Sequence, residues 1–161
     1  MVDTLLAKIF GTKHARHVSQ VFAPLGRELE GKVSTSASVM STPIFHTLAF
    51  TARTVRRATR DDVLAALRSH RWLAFTKKAH ANRIFAFART HLFAGRVLAQ
   101  AIIYEPSIAV LRDGTVKFHA FTPQDGNVVI SNLAAVIQGL APDRYHLLMG
   151  RIEDVHLPRM V

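Results

Sequence analysis

The densest group of chemically active side chains in this sequence is a run of cations between residues 53 and 83. Nine lysines and arginines minus two acids, Asp61 and Asp62, give this segment a formal charge of +7, and Trp72 and Phe75 lie among them. A guanidinium group donates two parallel hydrogen bonds to a phosphate. The alternative is a solvated helix face whose arginines pair with neighbouring acids. We predict a polyanion- or partner-binding site formed by Arg53, Arg56, Arg57, Arg60, Arg68, Arg71, Lys77, Lys78 and Arg83.

The charge of the whole chain points the same way. Its 161 residues carry a formal net charge of +10, with an isoelectric point of about 11.1. Such an excess favours an acidic partner, which is a nucleic acid, an anionic membrane or an acidic protein surface. A merely soluble basic protein is the alternative.

Several kinds of enzyme site are absent from the sequence. The chain has no cysteine, which removes disulfides, thiolate metal sites and a cysteine nucleophile. It has no dinucleotide fingerprint, phosphate loop, serine nucleophile elbow or zinc-protease motif. His14 and His17 have a spacing that can hold a metal, but two histidines without a third ligand favour a solvated basic helix instead. We therefore expect no catalytic residues, no metal and no cofactor.

The elements that must position these side chains centre on residues 98–140. Asp113-Gly114 predicts a hairpin turn, since glycine accepts a positive φ. Before the turn, Glu105-Pro106 divides two strand-like runs, and after it an alternating strand begins near Val116. A helix then follows, predicted to bury Val129, Leu133, Val136 and Ile137 and to end at Gly139.

Shorter patterns place the remaining elements. Thr59, followed by two acids, predicts a helix N-terminus. His46 is expected to be a packed core histidine. The other predicted elements are helices at Thr4–Phe10, after Thr12, at Ala79–His91 and after Pro142, and strands at Lys32–Met40, Ile44–Thr51 and Trp72–Thr76, followed by a tail from Arg151 that frays or lies on a partner.

This order predicts an α+β fold: a single mostly antiparallel or mixed sheet with helices packed on one face, preceded by an N-terminal helical segment. We assign residues 1–30 to an N-terminal helical extension, 31–140 to the α+β domain, and 141–161 to a C-terminal helix and tail. Because the strands carry apolar residues on both sides, the uncovered face is expected to meet a partner. No apolar run is long enough to predict a membrane span.

Three segments carry a resemblance to a known family. They are GKVSTSASVMSTP at residues 31–43, RDDVLAALR at 60–68, and VKFHAFTPQDGNVVISNLAAVI at 116–137. Together they resemble the C-terminal, catalytic domain of phosphorylating glyceraldehyde-3-phosphate dehydrogenases. The resemblance implies a sheet fold, with Gln124–Asn127 and Ser131-Asn132 in the family's late loop.

The resemblance also implies that the family's chemistry is lost. The family's nucleotide domain, acid–base histidine and nucleophilic cysteine belong to segments that this sequence does not contain. Val39 stands where the family has an arginine for the substrate phosphate, although Ser34 matches a phosphate-binding hydroxyl. Without a thiolate no thiohemiacetal forms, and hydride transfer by that route has no substrate. The resemblance therefore implies a truncated and degenerate relative, a pseudoenzyme.

These observations predict a non-catalytic structural subunit of a larger assembly, which binds other protein subunits and, as a further partner, RNA. An organellar setting of the mitochondrial ribosome or respiratory complex type is expected from the loss of the family's catalytic residues, the +7 segment and the apolar strand faces. The amphipathic, basic start also resembles an organellar targeting segment in composition. An ordinary basic helix and a cytoplasmic location are the alternatives. The other functions left open are a free nucleic-acid-binding module and a divergent dehydrogenase fragment completed by a second chain.

Overall fold

The computed structural model describes residues 4–8, 13–26, 37–40, 45–91, 98–123, 126, 128–157 and 159–160. The chain divides into two compact units, Met1–Thr42 and Pro43–Val161. The strands are Thr4–Lys8 (β1), Ala37–Met40 (β2), Phe45–Arg53 (β3), Leu73–Thr76 (β4), Ala101–Val110 (β5) and Thr115–Pro123 (β6). The helices are Lys13–Phe22 (α1), Arg60–Ser69 (α2), Ala81–His91 (α3), Val129–Leu140 (α4) and Tyr145–His156 (α5).

The first unit contains a two-stranded antiparallel sheet, β1 with β2, and the helix α1. The helix predicted after Thr12 is confirmed. The helix predicted at Thr4–Phe10 is wrong, because residues 4–8 form β1. A run of three apolar residues, Leu5 to Ala7, does not distinguish a helix from a strand, and here pairing with β2 decides.

The second unit is built on a four-stranded mixed sheet of order β3-β6-β5-β4. β6 runs antiparallel to β3 and β5, whereas β4 runs parallel to β5. The predicted α+β class, with one mixed sheet and a preceding N-terminal helix, is therefore confirmed. β3, β5 and β4 run in the same direction, so the C-terminal ends of these three strands lie at the same end of the sheet.

The sheet is covered on both faces rather than on one. Neighbouring residues of β5 and β6 enter different clusters: Ile102 and Phe121 pack with α3, while Ile103 and Ala120 pack with α2. Successive side chains of a strand point to opposite faces, so α2 and α3 lie on opposite sides. A third cluster joins α4 to α5.

The predicted break at Glu105-Pro106 is an irregularity within one strand. β5 runs through Pro106, and its register against β6 shifts between Tyr104 and Ala109. Ser107 Oγ donates to the carbonyl of Tyr104 at 2.7 Å and accepts the backbone N–H of His119 at 2.8 Å. The serine side chain thus replaces a ladder partner at the point where proline cannot donate.

The predicted packing face of α4 is wrong for three of its four residues, while Ile137 packs against the cluster between α4 and α5 as predicted. Ile130 and Ala134 are buried against α5, whereas Val129, Leu133 and Val136 are exposed. This helix has apolar residues around most of its circumference, so its 3.6-residue period cannot select a side; contact with α5 does. Nor is Gly139 the C-terminal stop, since it lies within α4.

Two smaller predictions are also corrected. His46 is exposed on β3 rather than packed in the core. The C-terminal tail lies on the chain's own sheet: α5 continues through Arg151 to His156, and the backbone N–H of Phe75 in β4 donates to the carbonyl of Arg159 at 2.9 Å. Met160 forms a parallel bridge with Phe75. The tail therefore covers the outer edge of β4.

The helix start predicted at Thr59 is confirmed, with a reciprocal capping box. The Thr59 side chain accepts the backbone N–H of Asp62 at 3.2 Å, and the Asp62 carboxylate accepts the backbone N–H of Thr59 at 2.8 Å. Two backbone donors that the helix cannot satisfy internally are thereby paired.

We predict that Thr59→Ala lowers the free energy of unfolding by about 1 kcal/mol, because it removes one acceptor of this cap. Thr59→Ser keeps the oxygen and is the matched control, expected to stay within about 0.5 kcal/mol of the parent protein. Urea denaturation followed by circular dichroism measures both. Equal losses in the two variants would show that the methyl group, not the hydrogen bond, matters.

Candidate polyanion interface

The end of β3 is tied to the β5–β6 hairpin by a short hydrogen-bonded contact. The backbone N–H and the hydroxyl of Thr54 both donate to the carbonyl of Gly114, each at 3.0 Å. Gly114 has φ +81°, and a Cβ there would lie 3.2 Å from Thr54 Oγ1. Glycine at the predicted turn thus allows the positive φ that the turn requires, and its lack of a Cβ leaves room for the Thr54 hydroxyl. The contact brings the segment after β3 against the hairpin.

This contact gathers four of the nine predicted residues with one that the sequence analysis missed. Arg57 and Arg60 line a cleft of about 350 Å³, together with Thr59 and Gly114, and its far wall carries Arg112 from the hairpin. We call the group the arginine end; its members are Arg53, Arg56, Arg57, Arg60 and Arg112.

The members of the arginine end have different electrostatic environments. Arg60 is held in place, since its guanidinium donates to the carbonyls of Ile108 and Glu105, each at 3.2 Å. Arg56, Arg57 and Arg112 are exposed, and in the described part of the chain they make no ion pair or hydrogen bond. These three side chains are therefore available to an external anion.

Asp113 partly neutralises Arg53 across the hairpin turn. Their closest atoms, Arg53 Nη2 and Asp113 Oδ2, are 3.6 Å apart on the exposed surface. Hydrogen bonds from the backbone and hydroxyl of Thr115 lower the pKa of Asp113, and Arg53 contributes a smaller effect in the same direction. These hydrogen bonds and the nearby guanidinium favour the ionised form of the carboxyl group.

Two of the predicted residues form ion pairs within the protein and are not available to an external anion. Arg68 pairs with Glu105 at 2.8 Å, and Arg71 contacts Glu153 at 3.4 Å and also pairs with Asp154. The alternative interpretation, arginines that pair with acidic neighbours, thus holds for this pair. The acids are far away in sequence, on β5 and α5, so no local pattern shows the pairing.

The remaining three predicted residues form a separate basic region after β4. Lys77 and Arg83 are exposed, while Lys78 Nζ lies 4.6 Å from the centroid of the Phe87 ring. Thr76 at the end of β4 pairs with Tyr104, six residues before the end of β5. Six residues of strand span roughly 20 Å. The nine predicted residues therefore do not form one continuous patch.

The missed residue could have been found from the predicted hairpin. Arg112 directly precedes Asp113-Gly114, and a turn places its residues beside the strand that pairs with the hairpin. That strand is β3, because Arg53 pairs with Thr115. The distance along the chain between Arg53 and Arg112 hides this proximity.

Other candidate residues contribute no site among the residues that the structure describes. His17 is exposed on α1, and no group of three or more histidine and acidic side chains in the described ranges could hold a metal. Ser34, Gln124, Asp125 and Asn127, which the dehydrogenase resemblance singles out, lie outside the described residues, as does most of residues 31–43.

Comparison with protein-family models and with curated protein sequences gives no match to this chain. The resemblance to the C-terminal domain of glyceraldehyde-3-phosphate dehydrogenases accordingly rests on the quoted segments and stays a prediction.

We predict that Asp113→Asn destabilises the protein at neutral pH and that the difference from the parent protein shrinks in acid. The pKa of Asp113 in the folded state lies below 3.8, its ordinary value. The ionised carboxylate therefore stabilises the fold, and this contribution is complete at pH values above the pKa that Asp113 has in the unfolded chain. This contribution is lost as pH falls through the folded pKa, below 3.8. Denaturation midpoints measured from pH 7 to pH 2.5 test the prediction. A pH-independent difference would contradict it.

Proposed function

We propose that this protein is a non-catalytic subunit of a larger assembly that binds a polyanion, RNA in the first instance, through its arginine end. The observation that carries the proposal is the exposure of Arg57 and Arg112 at one cleft, with the exposed Arg56 next to Arg57 in the chain and no ion pair to any of the three in the described part of the chain. These cations are supported on a turn fixed by Thr54 and Gly114. Arginines on a fixed backbone lose less backbone entropy on binding phosphates than arginines of a mobile basic tail do.

The exposed apolar surface supports a subunit rather than a free RNA-binding module. Leu48 and Phe50 on β3 are about half exposed, and α4 exposes a stripe whose last residue, Leu140, is 82% exposed. Contiguous apolar surface of this kind is typical of protein contacts. In the described residues no helix is long and apolar enough to cross a bilayer. We therefore favour protein neighbours for these surfaces.

The absence of catalysis remains part of the proposal. The chain contains no cysteine, so it cannot supply the thiolate on which the chemistry of the resembled family depends. A dehydrogenase fragment would need a second chain to provide both thiol and nucleotide site. An organellar assembly of the mitochondrial ribosome or respiratory complex type is the setting that we propose, with a cytoplasmic one as the alternative.

We predict that the protein binds a fluorescein-labelled 20-nucleotide single-stranded RNA with an affinity that falls steeply with salt. Each phosphate contact adds about −0.7 to the slope of log K against log salt. Arg56→Glu with Arg57→Glu should lower the affinity at least tenfold and reduce the magnitude of the slope by roughly 1.4, the value for two contacts. Fluorescence anisotropy between 50 and 300 mM KCl measures both quantities.

The control for this experiment has the same change in net charge at a distant surface. Arg144 and Arg151 are exposed at the end of a turn and on α5, and Arg144→Glu with Arg151→Glu should leave the slope nearly unchanged. Equal losses in the two double variants would show that net charge alone drives binding. A salt-independent affinity of the parent protein would reject the polyanion site.

A further inference from the structure

The two edges of the four-stranded sheet differ in whether another segment of the described chain pairs with them. The edge at β4 is covered by the C-terminal tail, through the hydrogen bond from Phe75 to Arg159 and the bridge to Met160. The edge at β3 pairs with β6 on its inner side, and no other described strand pairs with its outer side. An open strand edge offers unpaired N–H and C=O groups to another strand.

β3 lacks the features that usually protect an edge. All nine residues pair with β6 in one unbroken register, so no bulge twists the strand away. It contains no proline, and its one charged residue is Arg53 at the very end. Leu48 is 45% exposed and Phe50 is 48% exposed, on the face that α2 covers farther inside the sheet. Phe50 stacks on Phe118 at 4.6 Å, which fixes its ring beside the edge.

The sequence of β3 is complementary to itself when read antiparallel. In FHTLAFTAR the side chains are arranged almost symmetrically about Ala49. If Ala49 faces Ala49 of a second copy, Leu48 faces Phe50, and Thr47 faces Thr51. Aromatic–aliphatic pairs and Thr–Thr pairs are favourable opposite one another in antiparallel strands. We propose that β3 pairs with β3 of a second copy in this register and joins two sheets into one of eight strands.

Charge and register both favour this arrangement over the others. Antiparallel pairing about Ala49 places the two Arg53 side chains eight residues apart, about 27 Å, which exceeds the screening length of about 8 Å at physiological salt. Parallel pairing would place the two arginine ends side by side. A shift of two residues pairs Phe50 with Phe50 but leaves Leu48 opposite Ala52, or pairs Leu48 with Leu48 but leaves Phe50 opposite His46. Only the register about Ala49 sets both Leu48 and Phe50 opposite a large apolar side chain. A shift of one residue puts the apolar face of one copy beside the polar face of the other.

The absence of native cysteine makes a direct test simple. In the proposed register, Ala49→Cys brings two thiols to directly opposite positions, where the Cα atoms lie about 4.5–5.5 Å apart. This Cα separation is within the range that a disulfide spans. Ala49 is exposed, so the substitution leaves the core intact. Mild oxidation in 0.5 M KCl, which suppresses polyanion binding, should convert most of this variant to a disulfide-linked dimer on a non-reducing gel.

Three matched variants make the test specific for the register. Thr47→Cys and Thr51→Cys should each cross-link poorly alone, because each thiol lies about 14 Å from the same residue of the second copy. A mixture of the two variants should cross-link efficiently, because residue 47 of one copy faces residue 51 of the other. Val55→Cys, fully exposed beyond the strand, measures random collision. If Ala49→Cys forms no more dimer than Val55→Cys, the proposal is overturned. Efficient cross-linking of Thr51→Cys alone would equally overturn this register.

Sedimentation velocity tests the same pairing without oxidation. The parent protein should shift from monomer to dimer as concentration rises from 1 to 200 μM, while Leu48→Lys alone and Phe50→Glu alone should stay largely monomeric. Mixing these two variants should restore dimer, because the introduced lysine faces the introduced glutamate. A parent protein that stays monomeric throughout would reject self-pairing, and an unrescued mixture would reject the register. Neither result depends on RNA binding.

Discussion

The distribution of apolar side chains to both faces of β5 and β6 is the constraint on which the second unit depends. Ile102 and Ile103 are both buried, yet they enter different clusters, and the same is true of Ala120 and Phe121. A slip of one residue between the strands would move residues of one strand to the opposite face, so that each helix would meet side chains of a different size and shape. The register shift between Tyr104 and Ala109 changes which residues of β5 face α2, from Ile103 before it to Ile108 and Val110 after it. Ser107 closes the shift with hydrogen bonds to Tyr104 and His119.

The same pair of strands also positions the basic surface. Because the turn at Gly114 stands beside the end of β3, arginines that are about 55 residues apart in sequence surround one cleft. The fold sorts the remaining cations by the acids it brings near them. Arg68 of α2 forms an ion pair with Glu105, and Arg71, just before β4, forms one with Asp154. Arg56 and Arg57 form no ion pair with any described residue. A single basic run in sequence thus becomes structural ion pairs and two separate surfaces.

The proposed polyanion site and the proposed β3 pairing are compatible in space. Antiparallel pairing through β3 would set one arginine end at each extremity of the joint strands, well beyond the distance at which their charges repel strongly. A dimer would then present two equivalent basic clefts, and two weak sites on one long polyanion bind more tightly than either site alone. Such an arrangement would bury the apolar residues of β3, while α4 would still expose its stripe to a further protein neighbour.

The features that the sequence determined by itself are those decided within a few residues. The capping box at Thr59, the turn at Asp113-Gly114 and the alternation of the strand after it follow from hydrogen bonds and steric limits between near neighbours. The α+β class follows from the order of such elements. None of these depends on knowing what the chain packs against.

Tertiary structure decided everything that needs a distant partner. Residues 4–8 become a strand because β2 supplies a ladder, α4 turns Ile130 inward because α5 meets that side, and Arg71 leaves the basic surface because α5 brings Asp154 to it. Local preference is nearly balanced in the first two cases, so a contact worth about 1 kcal/mol selects the outcome. In the third case the partner carboxylate lies on an element that is distant in sequence. The sequence determines which charged and apolar side chains the protein has. Only the fold determines which charged side chains form ion pairs with one another and which remain exposed.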